Sequence, residues 1–325
     1  MLTEIINVRD PKILSLEFTL GNTCNYKCSY CFPGSNEGDA PWPDVDVLIA
    51  NVDHLIRQYK LTGKEKFEFY LLGGEATLWN DLPTFCNHLK QNHNVKLRIS
   101  TNASRGVRWW DVNAQLFDEI EISVHHEYAK ISHIIEVADL IYKKKINLSA
   151  NVLMDPEHFK KCKDIIDQLK TSKCKWPIIA SSVQYSGETR YSPEQKEYVK
   201  SPVKRYPNLF WWWSIKHNKT EKIQAVINNK LVKVKGNWFL LNDLNKFKGW
   251  ECNLGIDHVE VAPSGSVRGT CEQPIYNGNQ YNIRDKDFIS KFNPTFSPVI
   301  CGKDRCFCGH EITISKKVIP ILPIN

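Results

Sequence analysis

Six stretches of apolar, β-prone sequence alternate with stretches of helical periodicity over roughly residues 13–185, and nothing else in the chain restricts its fold as much. Ile13–Leu20 opens the series with half-alternating apolar residues. Val45, Leu48, Ile49, Val52, Leu55, Ile56 and Tyr59 then recur at helical spacing, which predicts an amphipathic helix over 44–60. Lys66–Leu72, Val95–Ser100, Glu119–Val124, Ile146–Met154 and Ile178–Val183 read as the next five strands. Helices are expected between them, around Leu82–Leu89 and over 108–117, 130–144 and 156–170. Strands separated by helices run parallel through right-handed crossovers. The class is therefore α/β, and six units predict an open, partial (βα)6 barrel of TIM type. Eight-stranded closure is not expected, because the pattern changes after about residue 190. An open doubly wound sheet is the structural alternative, although no GxGxxG supports dinucleotide binding.

The first strand leads into Cys24-x3-Cys28-x2-Cys31, three cysteines within eight residues (GNTCNYKCSYCF). Three thiolates at this spacing can hold three irons of a [4Fe–4S] cube and leave the fourth without a protein ligand. Electron-transfer clusters ordinarily use four cysteines. Zinc sites usually pair C-x2-4-C with a second such pair or with histidines, and neither follows within the next twenty residues. The second strand ends in Gly73-Gly74-Glu75 at the same rim, where catalytic groups of β/α barrels collect. Two glycines let backbone approach a ligand without Cβ obstruction, and a carboxylate there can pair with an ammonium group.

This loop spacing, followed one strand later by Gly-Gly-Glu, closely resembles the radical S-adenosylmethionine (radical SAM) superfamily. The resemblance implies a cluster on Cys24, Cys28 and Cys31 whose open iron chelates SAM. It also implies one-electron cleavage of SAM to a 5′-deoxyadenosyl radical that abstracts hydrogen from a substrate. By the same resemblance Gly73, Gly74 and Glu75 contact the SAM amino group. Ala76 stands where proline is commonest in that motif. Tyr30 matches an aromatic beside adenine, and Ser123 and Asn151 lie at strand positions that serve the ribose and carboxylate. Ser100, Thr101 and Asn102 end the third strand, where they can equally satisfy backbone groups. His125-His126-Glu127 follows the fourth and reads as exposed loop, with substrate contact as the other reading.

The remaining cysteines are uneven: Cys252, Cys271, Cys301, Cys306 and Cys308 cluster late, while Cys86, Cys162 and Cys174 stand singly. Val259–Ala262 and Ser266–Gly269 flank Pro263-Ser264-Gly265 and predict a hairpin between Cys252 and Cys271. The arrangement resembles the twitch domain, a short relative of the SPASM domain. It implies one auxiliary [4Fe–4S] cluster, hence two clusters in all, with one thiolate in surplus. A structural zinc on four of these thiols is the alternative. Cys86 reads as a small buried hydrophobe.

The expected division is a radical SAM core over 1–190, a bridge over 191–250 and a twitch-like domain over 251–325. The bridge contains Trp211–Trp213, read as an interdomain contact or a stacking surface, and a hairpin around Asn228-Asn229. Eleven cysteines without an export signal argue for metal or catalytic thiols rather than disulfides, and the chain reads as cytoplasmic with no membrane span. A net charge of +7 carried on dispersed lysines reads as solvated faces rather than a nucleic-acid surface. The expected function is radical modification of a peptide or protein side chain, with an electron donor such as flavodoxin or ferredoxin. No N-terminal leader-binding module precedes the strand near residue 13, which favours the alternative of small-molecule dehydrogenation on an aminocyclitol- or sugar-like substrate. A non-catalytic, zinc-stabilised binding protein is the third reading.

Overall fold

The computed structural model describes residues 1–7, 10–31, 33–183, 191–200, 222–235, 239, 243–269, 280–294, 296–306 and 312–319. Contacts group the chain into two compact units, one of 18–49 with 68–212 and the other of 1–17, 50–67 and 213–325. The N-terminal residues pair with strands from the C-terminal third.

The unit of 18–49 and 68–212 is built on the expected parallel sheet. The strands of that sheet are β2 (Ile13–Thr19), β3 (Lys66–Leu72), β4 (Val95–Thr101), β5 (Glu119–Val124), β6 (Asn147–Met154) and β7 (Ile178–Ser182), with residues 13–17 and 66–67 grouped in the other unit. They lie side by side in sequence order, and β4–β5, β5–β6 and β6–β7 pair in parallel register. The crossovers carry α1 (Val45–Leu61), α2 (Leu82–Asn92), α3 (Val107–Asn113), α4 (Ile131–Lys143) and α5 (Phe159–Leu169). β7 does not pair with β2, so the sheet stays open among the described residues. Alternate strand residues such as Phe67, Phe69 and Leu71, or Ile120, Ile122 and Val124, are buried, as the period of two requires. Pro83 sits in the first turn of α2, where its missing N–H costs nothing. Cys86 and Cys162 are fully buried on the apolar faces of α2 and α5.

The second unit contains a six-stranded sheet in the order β14-β10-β15-β1-β8-β9. Its strands are β1 (Leu2–Ile6), β8 (Lys222–Ile227), β9 (Lys230–Lys235), β10 (Glu251–Cys252), β14 (Val299–Ile300) and β15 (Lys316–Lys317). β8 and β9 form the expected hairpin, with Asn228 at φ 49° and Asn229 at φ 59°. Both central residues are left-handed, the conformation whose twist matches antiparallel strands and which asparagine tolerates. The hairpin of β11 (His258–Val261) and β12 (Ser266–Arg268) also forms, turning at Gly265 with φ 91°, and β12 pairs in turn with β13 (Tyr281–Asn282). Trp211–Trp213, Cys271 and Cys308 lie outside the described residues.

The sequence reading missed β1, which is too short and too near the chain start to show a pattern. It is nevertheless central: β8 and β15 bond to its two edges, and Ile5 is buried with Ile223, Ala225, Phe239, Phe247 and Ile312. Ile5→Ala removes a buried side chain from this cluster and is expected to destabilise the unit by about 2–5 kcal/mol. Denaturant unfolding of the full chain should show an earlier midpoint, and an unchanged midpoint would mean that β1 is dispensable.

Candidate functional site

The strands β2 and β3 continue to pair beyond their ends, and this continuation roots the cysteine loop. Leu20 N–H donates to the Leu72 carbonyl at 3.0 Å, Gly74 N–H to Gly21 at 3.0 Å, and Glu75 N–H to Thr23 at 2.9 Å. A Cβ on Gly74 would stand 2.4 Å from the Thr23 carbonyl oxygen, so only glycine permits the approach. The close contact that demands glycine here is thus with the loop's own backbone. The far side of the loop is tied by buried Asn22, whose amide donates to the Gly34 carbonyl at 2.9 Å and accepts from Ala40 N–H at 2.8 Å.

A cleft of about 610 Å³, including its mouth, opens above the loop. Cys24, Cys28 and Cys31 line it together with Gly73 and Gly74 from the end of β3. Ser100, Thr101 and Asn102 from β4, and Ser123 and His125 from β5, line its other walls. The Ser100 and Ser123 hydroxyls lie 3.2 Å apart, one on each of two neighbouring strands. Asn102 donates its amide to Asn25 Oδ1 at 2.9 Å, with Cys24 Sγ at 3.9 Å. Asn151 pairs in register with Ser123 but does not line the cleft, and its amide oxygen is buried with no hydrogen-bond partner among the described residues. Ser100, Thr101, Asn102 and His125, which the sequence leaves open between a site and a structural reading, all line the cleft. Their one signal is position, at the C-terminal ends of β4 and β5.

Two expectations change. Glu75 does not face the cleft: its side chain is buried and its oxygens are engaged inside the protein. One oxygen accepts from Thr77 N–H at 3.2 Å, Thr77 Oγ1 at 2.5 Å and Thr101 Oγ1 at 2.7 Å, and the other from Asn102 N–H at 2.6 Å. Burial pushes its pKa up and these donors pull it back. Tyr30, expected beside adenine, is buried behind the loop with Val183 and Leu153 and lies between the rings of His125 and His126.

Burial is the main influence on the titrating groups of the cleft. Burial raises the pKa of Cys24, and that of Cys28 is pushed up to about 12 by burial first, then by Glu127 and by the other two thiols. The His125 imidazole is held down to about 4 by burial, against the opposing pull of Glu127, and is neutral at physiological pH. None of the nine described cysteines forms a disulfide.

In the other unit, Cys252 on β10 is opposite Val299 of β14, and Cys301 follows that strand, its N–H donating to the Trp250 carbonyl at 2.8 Å. Cys301 and Cys306 both pack against the cluster around Ile5, and Cys306 is fixed by reciprocal bonds with Asn245. Burial raises the Cys252 pKa while Lys316 lowers it and Cys301 raises it. Three of the five late cysteines are thus described, all in one unit.

An open parallel β/α sheet with a cysteine triad at its C-terminal rim defines the class of protein. Residues 18–149 match the family model of the Radical SAM superfamily, so the chain carries a radical SAM domain, and it is an enzyme. It is 25% identical over 158 residues to the GTP 3′,8-cyclase of Psychromonas ingrahamii, a match covering 47% of this chain and 44% of that protein. The curated relatives are therefore matched over less than half their length. Among solved structures, anSMEcpe with bound AdoMet superposes with a TM-score of 0.50 at 18% identity, over 84% of this chain and 78% of that one. SuiB of Streptococcus suis bound to S-adenosylmethionine gives 0.50 at 16% identity, over 85% and 62%. These structures share the fold.

The family implies a [4Fe–4S] cluster and SAM. The cleft fits both: three thiols converge on it, and burial holds those of Cys24 and Cys28 neutral until a bound cation ionises them. Glycine backbone, paired hydroxyls and a neutral imidazole line the space beside them.

The position of Glu75 generates a test. Glu75→Gln places an N–H against at least one of the donors that now reach the carboxylate, which costs about 1–3 kcal/mol. Denaturation of the full chain without iron is expected to show that loss. An unchanged midpoint would mean that the carboxylate is not held as described.

Proposed function

We propose that Cys24, Cys28 and Cys31 hold a [4Fe–4S] cluster with one iron open to SAM, and that the enzyme abstracts hydrogen from a peptide or protein side chain. The convergence of the three thiols on one cleft, inside a radical SAM domain, carries this reading. When bound, cluster and SAM supply the one-electron cleavage that produces a 5′-deoxyadenosyl radical. The protein's part is to position and to exclude water. Gly73 and Gly74 would offer bare backbone to the amino-acid end of SAM, and Ser100 and Ser123 would offer polar partners to the rest. His125 contributes as a neutral imidazole. Tyr30 and Glu75 serve from behind, one packing the loop and the other fixing the end of β4.

An auxiliary [4Fe–4S] cluster on four of Cys252, Cys271, Cys301, Cys306 and Cys308 would make the region from 251 a twitch-like domain. The proximity of Cys252 to Cys301 supports it. Such a cluster suits an oxidative outcome, and the reductant would be a flavodoxin or ferredoxin. Nine described cysteines without disulfides suit a cytoplasmic setting, and no helix of the described residues is long and apolar enough to cross a membrane. A structure of SuiB bound to the precursor peptide SuiA, with a TM-score of 0.50, supports the peptide class. The GTP 3′,8-cyclase relatives favour the second reading, a small-molecule substrate.

Anaerobic reconstitution tests the assignment. The chain is expected to bind about eight irons, as two four-iron clusters, and to form 5′-deoxyadenosine from SAM under reduction. Replacing Cys24, Cys28 and Cys31 together by Ala should abolish SAM cleavage and leave about four irons. Continued formation of 5′-deoxyadenosine by that variant would overturn the reading.

A further inference from the structure

Every spacer residue between the three cysteines is held by a side chain from elsewhere in the same unit. Asn25 accepts from the Asn102 amide at 2.9 Å. The other four spacers are met by four consecutive residues after β5. Tyr26 stacks on Tyr128 at 5.1 Å between centroids and meets the edge of His125 at 6.1 Å. The Lys27 carbonyl accepts from Tyr128 Oη at 3.1 Å. Ser29 donates twice to Glu127, from its N–H at 2.9 Å and from its hydroxyl at 2.6 Å. Tyr30 stacks on His126 at 5.3 Å and on His125 at 5.9 Å, with its hydroxyl 3.3 Å from His125 Nδ1.

This clamp has a buried half and an exposed half. His126 is buried, and its Nε2 lies 3.0 Å from an Asp155 oxygen that also meets His158 Nδ1 at 2.7 Å. Asp155 is buried too, so the ring that supports Tyr30 is itself fixed in orientation. Glu127–Ser29 and Tyr128–Lys27 lie nearer solvent and set the height of the loop above β5. With the spacers occupied in this way, the three thiols are left facing the cleft.

We infer that His125–Tyr128, backed by Asp155, is a template that orders the cysteine loop before any metal binds. A metal site usually has to order its ligands at the moment of binding, and that conformational entropy weakens it. Here the ordering is done by positioning residues that hold the spacers between the cysteines. The inference rests on the assignment of the three cysteines as ligands for its consequence, and on the loop contacts alone for its content.

Hydrogen exchange on the full chain prepared without iron reads the loop directly. In the wild-type chain, the peptide spanning 24–31 should be protected. In Glu127→Ala it should exchange about tenfold faster, while peptides from β4, β5 and β6 keep their rates. Glu127→Gln, which retains an acceptor for Ser29, should recover part of the protection, as a purely packing role would not require. Should Glu127→Ala unfold the unit, Tyr128→Phe decides, since it deletes one exposed hydroxyl and should speed only the loop. Full exchange of 24–31 at the first time point in the wild type, or no acceleration in Glu127→Ala and Tyr128→Phe, overturns the inference. Iron content of the cysteine variants judges the cluster assignment separately, because exchange without iron does not depend on it.

Discussion

The buried carboxylate of Glu75 is the interaction on which the site depends. A charge removed from water must be met by donors, or it destabilises the fold by several kcal/mol. Glu75 is met by two backbone N–H groups and two threonine hydroxyls, drawn from the turn after β3 and from the end of β4. That single group therefore sets the spacing of two adjacent strand ends. The backbone of Gly74 and Glu75 in turn carries the root of the cysteine loop through its bonds to Gly21 and Thr23. Thr101 accepts from Ala103 N–H at 3.0 Å, which directs its hydroxyl hydrogen to Glu75 and holds Ala103 in its left-handed conformation at φ 55°. Asn102, aimed toward Asn25 and Cys24, is placed by the same network.

Around this anchor the cleft combines low polarity with fixed dipoles. Burial keeps Cys24 and Cys28 as thiols and His125 neutral. Such a pocket gains most from a ligand that brings its own cations and its own sulfur chemistry. Glu127, ionised and bonded to Ser29, adds a negative charge beside Cys28. The residue proposed to order the loop would thereby also place negative charge beside a cluster held by the triad, which would favour its more oxidised state.

Much of this was legible in the sequence where periodicity or spacing carries the signal. The six parallel strands and five connecting helices follow from apolar patterning, and both hairpins follow from Asn228-Asn229 and Pro263-Ser264-Gly265. The three cysteines and two glycines of the cleft were legible because residue type and spacing alone restrict their chemistry. The direction of Glu75 was not, because a motif says which residue is present and not which donors compete for it. The packing of Tyr30 was not legible either, since the histidines that stack on it lie about a hundred residues away in sequence. β1 and the two-residue strands β10, β14 and β15 are set by partners far along the chain, and strands that short have no period to read.

The central claim is that the triad leaves one iron of a cluster open to SAM. Electron paramagnetic resonance of the anaerobically reconstituted, dithionite-reduced chain, recorded with and without SAM, tests it most directly. Coordination of SAM to the open iron should shift the g values of one reduced cluster and leave any second cluster unchanged. Identical spectra in the presence and absence of saturating SAM would contradict the account.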